Sequence, residues 1–469
     1  MSPHALALFA FPGGLGVTSL LLYLVAALAI PLSLFVQPRI GLYVLIPMMP
    51  LQTVRYQIQV LPFGDKLVDI LLLSVILGLL IWKSDQFPLK TPLNSYLLFF
   101  CLFLYAALWI GSLVIHTPWP LLPNDERFVV WKNTAEMPLL FLVVASAIDS
   151  KRQMQVLLGL MMITVLRANI GFFHTVSGRD FTHFSNNLRY AGVLGYAGQN
   201  GLAAFMSEFL IFLLAVYSGI RQMHFKALVV LSIMFSAYCV LFSFSRGGYV
   251  SFLAGLLFLG VLKERKYLVL LILLVFGWQT IVPNAVRERV LMTYDGNQVE
   301  SSANERLQLW QDALTIIPEH PILGTGFDTY RFLGRSADYL DTHNYYVKVT
   351  VETGFIGLFL FLYLLWLMVR EGLYLFRKSE DPFFSSLGLG VSALVFSAFF
   401  ANLFGDRWMY QQITAYMWTI MALVCRARVI LHLDASTEGH ATNAPGILTP
   451  RTGSCLPFCK TVNDGKDAA

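Results

Sequence analysis

Five side chains in this sequence are chemically out of place for the surroundings they occupy. His343 sits in DTHNYY (341–346), directly before an apolar run. An imidazole takes and returns a proton near neutral pH, which is the requirement for a general base. Asp341 and Glu352 are close enough in sequence to orient it, although residues two apart do not face each other on a helix. The plainer reading is an interfacial histidine bonded to a carbonyl. Arg246 lies in FSFSRGGYV (242–250), between two apolar runs with almost no loop. An always-charged guanidinium at a membrane edge is expensive, and its planar fork matches phosphate oxygens. Gly247 and Gly248 beside it let a ligand approach the backbone. A snorkelling interface arginine is the alternative. Arg189, in NNLRYAGVLGYAGQNG (186–201) ahead of Asn200, is either a third polar site residue or a simple loop charge. Arg167 and Glu208 fall at similar depth in consecutive apolar runs, where a buried ion pair is the cheapest arrangement for both.

These residues must be positioned by membrane-spanning elements. The chain is 57% hydrophobic and only 13% charged, whereas a soluble domain carries about 25% charged residues. Continuous apolar runs recur at 17–36, 40–54, 67–82, 95–115, 134–148, 153–175, 199–218, 226–244, 248–262, 267–283, 354–376, 384–404 and 408–425. Runs of roughly 20 apolar residues cross the hydrocarbon as helices. The runs do not alternate with period two, which excludes a barrel. The fold class is an all-α polytopic membrane protein, a bundle of about 12–13 transmembrane helices over residues 1–428. No basic residue precedes the first apolar run, so a cleaved signal peptide is not expected. The net charge of +5 is spread over loops, which points away from nucleic acid as a partner.

The basic residues also assign sidedness. Lys83, Lys90, Lys151, Arg152, Arg221, Lys226, Lys263, Arg265, Lys266, Arg370, Arg377, Lys378, Arg426 and Arg428 fall in one alternate set of loops. The other set is poorer and holds Arg55, Lys66, Arg127, Lys132, Arg179, Arg189, Arg246 and Arg407. The first set is expected to be cytoplasmic, so the long loop 284–343 faces outward with Arg189 and Arg246. Residues 429–469 are polar and rich in Ser, Thr, Gly and Pro, which predicts a disordered cytoplasmic tail. Of the five cysteines, Cys455 and Cys459 form a C-x3-C in that tail without two further ligands, so free thiols and no metal site are expected.

Within 284–343, Ser302 and Glu305 form a capping box, S-x-x-E, with Arg306 next in the chain. Leu307, Trp310, Leu314 and Ile317 repeat at helical spacing, which predicts a short amphipathic helix over 303–317 lying on the bundle or the bilayer. Pro318 ends it, and PILGTG (321–326) reads as a shaped turn.

Together, SRGG after an apolar run, ERLQLWQDAL through HPILGTGFDTY to THNYYVKVTVETGFIGLFLF, and an upstream Arg followed by a Gly-rich turn and Asn200 resemble the O-antigen ligase superfamily of bacterial inner membranes. The likeness covers about residues 130–425 and is strongest over 186–360. It implies transfer of a glycan from undecaprenyl pyrophosphate, at the periplasmic face, to a hydroxyl of lipid A–core, another glycan or a protein. By that likeness His343 is the general base, Arg246 and Arg189 hold the donor pyrophosphate, and Asn200, Gly247, Gly248, Glu305, Arg306 and Asn344 support them. The resemblance implies no metal and no cofactor. A polymerase joining repeat units on the same lipid carrier is the alternative within this chemistry. A transporter or flippase of lipid-linked glycans, or a scaffold in an export complex, are the alternatives outside it.

Overall fold

The computed structural model describes residues 16–120, 125–292, 294–295, 298–299, 301–333 and 342–442. The described residues up to Ile430 form one compact unit. Its helices are α1 (Val17–Phe35), α2 (Arg39–Met48), α3 (Gln52–Ile58), α4 (Leu67–Trp82), α5 (Asn94–Val114), α6 (Glu126–Ala147), α7 (Lys151–Val176), α8 (Gly198–Val216), α9 (Met223–Leu241), α10 (Arg246–Leu262), α11 (Lys266–Ile281), α12 (Asn284–Leu291), α13 (Ser301–Ile316), α14 (Tyr345–Lys378), α15 (Pro382–Ala401) and α16 (Gln411–Thr442). Each expected apolar run is helical, save that 40–54 is split between α2 and α3, because lipid leaves backbone N–H and C=O groups no partner outside the segment. Among the described residues, nine helices are long and apolar enough to cross a membrane, or ten if the bent pair α11 and α12 counts as one span. The larger sequence count includes α2, α4, α10 and α11, which are shorter than 18 residues. Two two-residue strands, Tyr294–Asp295 and Gln298–Val299, pair in the outer loop.

The core sits where α8, α15 and α10 pack against one another, with α14 along α15 and α9 against α7 and α8. Ile211 and Ala215 of α8, Leu256 and Leu259 of α10, and Leu389 and Ala393 of α15 bury one another. Small residues allow this closeness, as usual for helices packed in lipid. A Cβ on Gly388 would lie 2.4 Å from the Gly372 carbonyl oxygen, and one on Gly248 2.7 Å from Ala203 Cβ.

The two sets of loops separate to opposite ends of the helices. Lys83 and Arg426 pair with Asp149, and Lys151 with Asp381, at one end. The other end carries the long loop and its charges. The final helix runs to Thr442, past residue 428 where the polar tail was expected to begin, and residues 443–469, with Cys455 and Cys459, lie outside the described residues.

The outer loop is built on a helix break. In α14, Gly354 has φ +66°, and the carbonyls around the break are free to bond the PILGTG turn. The N–H of Thr325 donates to the Val351 carbonyl (2.9 Å), that of Gly326 to Glu352 (2.7 Å), and that of Phe355 to Pro321 (2.9 Å). Gly326 (φ +104°) is so close to α5 that a Cβ would lie 2.1 Å from Gly111 Cα. Around this joint, Arg331 pairs with Asp328 (2.7 Å) and Lys348 with Asp406 (3.1 Å). Burial pushes the Asp328 carboxyl up, against the opposing pull of Lys348 and Arg331.

α13 begins at Ser301, so Ser302 lies in its first turn and not before it; the side chains of Ser302 and Glu305 lie outside the described residues. The buried stripe is Leu309, Ala313 and Ile316, against Tyr330 and Val351, with Ile317 partly buried beside it. Leu307 and Leu314, expected to lead the apolar face, are exposed at 45% and 65%. The helix is rotated about its axis toward α14, because the docking joint offers Val351 and Tyr330 as its seat.

Candidate active site

The motif SRGG is a helix start. Ser245 caps α10, its hydroxyl accepting from the Gly248 N–H at 3.4 Å. That puts Arg246 in the first turn, where backbone N–H groups are unpaired and the helix dipole favours anions. Gly247 and Gly248 serve packing as much as access: a Cβ on Gly247 would lie 2.8 Å from Phe404 Cβ, while Gly248 meets Ala203 of α8. Asn200, in the first turn of α8, accepts from the Arg189 guanidinium at 2.8 Å.

These elements enclose a cleft of about 510 Å³ at the loop end of the bundle, lined by Arg189, Asn200, Arg246, Gly247, Gly248 and Arg306 together with Arg289 and Arg407. Five guanidinium groups thus meet in one cleft whose lining, among the described residues, holds no carboxylate. Arg289 is 7% exposed and Arg407 8%, a degree of burial that arginine tolerates only with partners or an anion. The Arg289 Nε donates to the Phe244 carbonyl at 3.4 Å and stacks over Phe184, which braces the chain just before Arg246. Neither Arg289 nor Arg407 was singled out from sequence. The available signal was that basic residues are scarce in this set of loops, so each one present is a candidate.

Arg167 and Glu208 do not pair. Glu208 is buried, and the charge acting on it is Arg407; Arg167 is exposed on α7. Equal depth on consecutive helices did not put the two side chains on facing sides. Glu208 instead lies on the side of α8 that faces Arg407 of the arginine cleft.

His343 is half-buried and does not line the cleft. Its backbone is left-handed, φ +51°, an uncommon state for a non-glycine residue and one met at functional sites. Thr342 before it accepts from Trp310 Nε1 at 3.0 Å. Trp310 lies one helical turn from Arg306, so α13 links the histidine segment to the cleft. Asn344 after it caps α14, its side chain accepting from Tyr346 N (3.0 Å) and Val347 N (3.3 Å). Asn344 is therefore a helix cap that sets where His343 leaves the membrane helix. Asp341 lies outside the described residues.

A second, apolar groove of about 1400 Å³ runs between α9, α10, α11 and α12, lined by Leu241, Val250, Leu253, Leu274, Trp278 and Val290 among others. Arg246 lines this groove as well as the arginine cleft.

The family model of O-antigen ligase matches residues 230–362, which spans α10 through the first half of α14 and so includes Arg246, Arg289, Arg306 and His343. Over that segment, under a third of its length, the chain is similar to O-antigen ligase. No curated protein matches the sequence. The match supports, in general terms, a membrane glycosyltransferase of the ligase and polymerase class, in keeping with the nine membrane-length apolar helices among the described residues. The matched segment begins within α9 and ends before α15, so Arg189, Asn200 and Arg407 join the cleft from outside it.

Proposed function

We propose that the protein transfers a glycan from undecaprenyl pyrophosphate to an acceptor hydroxyl at the periplasmic face of the bacterial inner membrane. The observation that carries this reading is the position of Arg246, shared by a cationic cleft and an apolar groove. A polyprenyl pyrophosphate has those two parts: a dianionic head that matches guanidinium forks and a hydrocarbon tail that matches the groove. The acceptor hydroxyl attacks the anomeric carbon, the bond from that carbon to the pyrophosphate oxygen breaks, and the hydroxyl proton passes to His343. Charge develops on the departing pyrophosphate, and fixed guanidinium groups of Arg246, Arg189, Arg289, Arg306 and Arg407 stabilise it without reorganising. In this reading no metal takes part. Lipid A–core, another glycan and a protein remain the acceptor classes, and a polymerase differs only in using a second lipid-linked glycan as acceptor.

The test is reconstitution in proteoliposomes with a glycan on polyprenyl pyrophosphate, the same glycan on polyprenyl monophosphate, and a nucleotide sugar. Transfer with release of polyprenyl pyrophosphate from the first donor alone supports the proposal. Product that stays lipid-linked and lengthens identifies the polymerase. Movement of the donor across the bilayer without bond exchange, or transfer from the nucleotide sugar, refutes the reading.

A further inference from the structure

A second polar-mouthed cavity lies at the other end of the same helices. It holds about 940 Å³ and is lined from α7, α8, the turn after α8, and the starts of α9 and α15. Opposite ends of single helices fix its position. Asn200 of α8 lines the arginine cleft, and Val216, sixteen residues on, lines this cavity; that is about 24 Å along an α-helix. Likewise Ala401 of α15 faces the cleft and Pro382 the cavity.

The cavity is amphipathic. Its inner wall is Leu158, Met162, Phe212 and Val216, and its mouth carries Lys151, Arg221, Gln155 and Gln222. The carboxylate in the lining, Asp381, pairs with Lys151 at the mouth and accepts from the N–H groups of Phe383 (2.9 Å) and Phe384 (3.2 Å) as the cap of α15, so Arg221 carries the uncompensated charge of the lining. Arg221 is exposed and has no hydrogen bond or ion pair with another described residue. The helices α7, α9 and α15 all begin at this mouth, so their dipoles add to its positive potential. Met223, the first residue of α9 beside the mouth, is 81% exposed, as suits a residue facing lipid.

We infer that this cavity binds one anionic phospholipid of the leaflet opposite the arginine cleft, its phosphate at Arg221, beside the Lys151–Asp381 pair, and an acyl segment against Leu158, Met162 and Phe212. A soluble anion would satisfy the mouth and leave the apolar wall wet; a lipid satisfies both. The side is the one expected to be cytoplasmic from its basic loops, where anionic headgroups and basic pockets meet. The site is independent of the transfer chemistry, and its failure leaves that reading intact.

The experiment extracts wild type and Arg221→Glu from the same membranes and counts retained lipids by native mass spectrometry. Wild type is expected to keep phosphatidylglycerol or cardiolipin above its share of the membrane. A basic residue at an anionic surface is worth a factor of about five, so the charge reversal should lower retention at least that much. Arg221 is exposed, so the variant folds. A second variant, Met162→Trp, fills the wall and should lower retention with Arg221 still present; if it fails to fold, the charge reversal decides alone. Thermal stability is then measured in phosphatidylglycerol nanodiscs, in phosphatidylcholine nanodiscs, and in the latter with inorganic phosphate. Stabilisation by phosphatidylglycerol alone supports the site. Equal lipid retention by wild type and Arg221→Glu overturns it, and equal stabilisation by inorganic phosphate shows a soluble-anion site and overturns the lipid assignment.

Discussion

Arg246→Lys is the most discriminating change in the cleft. It keeps the charge and removes the planar fork. The fold should tolerate it, since Arg246 is only partly buried, lies in the first turn of α10, and its Nη1 donates to the Met292 carbonyl at 3.1 Å, a bond within reach of an ammonium. The loss is therefore one charge-assisted hydrogen bond to the donor. Such bonds are worth about 1.5–3 kcal/mol, and each 1.4 kcal/mol is about tenfold, so transfer should fall between roughly tenfold and a hundredfold. Four other arginines remain in the cleft, which argues for the lower half of that range. The assay is initial-rate transfer from a polyprenyl-pyrophosphate glycan in proteoliposomes, with protein levels and melting temperature measured alongside. If donor binding dominates, raising donor concentration recovers part of the rate; if the fork acts mainly in the transition state, it does not. A variant with at least half the wild-type rate at limiting donor and an unchanged melting temperature would refute the bidentate role. Arg246 would then be a helix-end charge that happens to face the cleft.

Three further outcomes are expected. His343→Ala should lower transfer by about 10²–10⁴-fold, the usual worth of a general base, while the protein still inserts and still binds the donor; residual activity near half of wild type would remove His343 from the mechanism. Gly354→Ala places a Cβ 2.2 Å from the Ile322 carbonyl oxygen at φ +66°; left-handed backbone costs about 1–2 kcal/mol and overpacking about 1–3 kcal/mol more, so the outer loop should become protease-sensitive and the melting temperature should drop, whereas an unchanged protein would show that the PILGTG joint is not a rigid support. Ser301→Cys and Ser436→Cys should label oppositely with an impermeant thiol reagent in cells with a permeabilised outer membrane, Ser301→Cys alone reacting; labelling of both, or of Ser436→Cys alone, reverses the sidedness on which the transfer reading rests.

The membrane class and the helical runs were legible in the sequence because lipid imposes a length and composition rule on each segment separately, and α1, α5, α7 and α15 needed nothing more. SRGG was likewise legible as a site for a charged residue, since Ser245, Arg246 and the two glycines act within a single helical turn. The stretch 301–316 was readable as a helix but not its buried face, because periodicity marks two neighbouring stripes and only the seat formed by Val351 and Tyr330 selects between them. Depth along the chain also failed to pair Arg167 with Glu208: it gives height in the membrane and not the direction a side chain points, and rotation of α8 turned Glu208 toward Arg407. Arg289 and Arg407 are separated by more than a hundred residues and carry no motif, yet the packing of α10 against α8 and α15 brings the segments that bear them into one cleft. Local rules determined which segments cross the membrane; which charges meet at their ends was decided by how the helices rotate and pack, information that no short window of sequence contains.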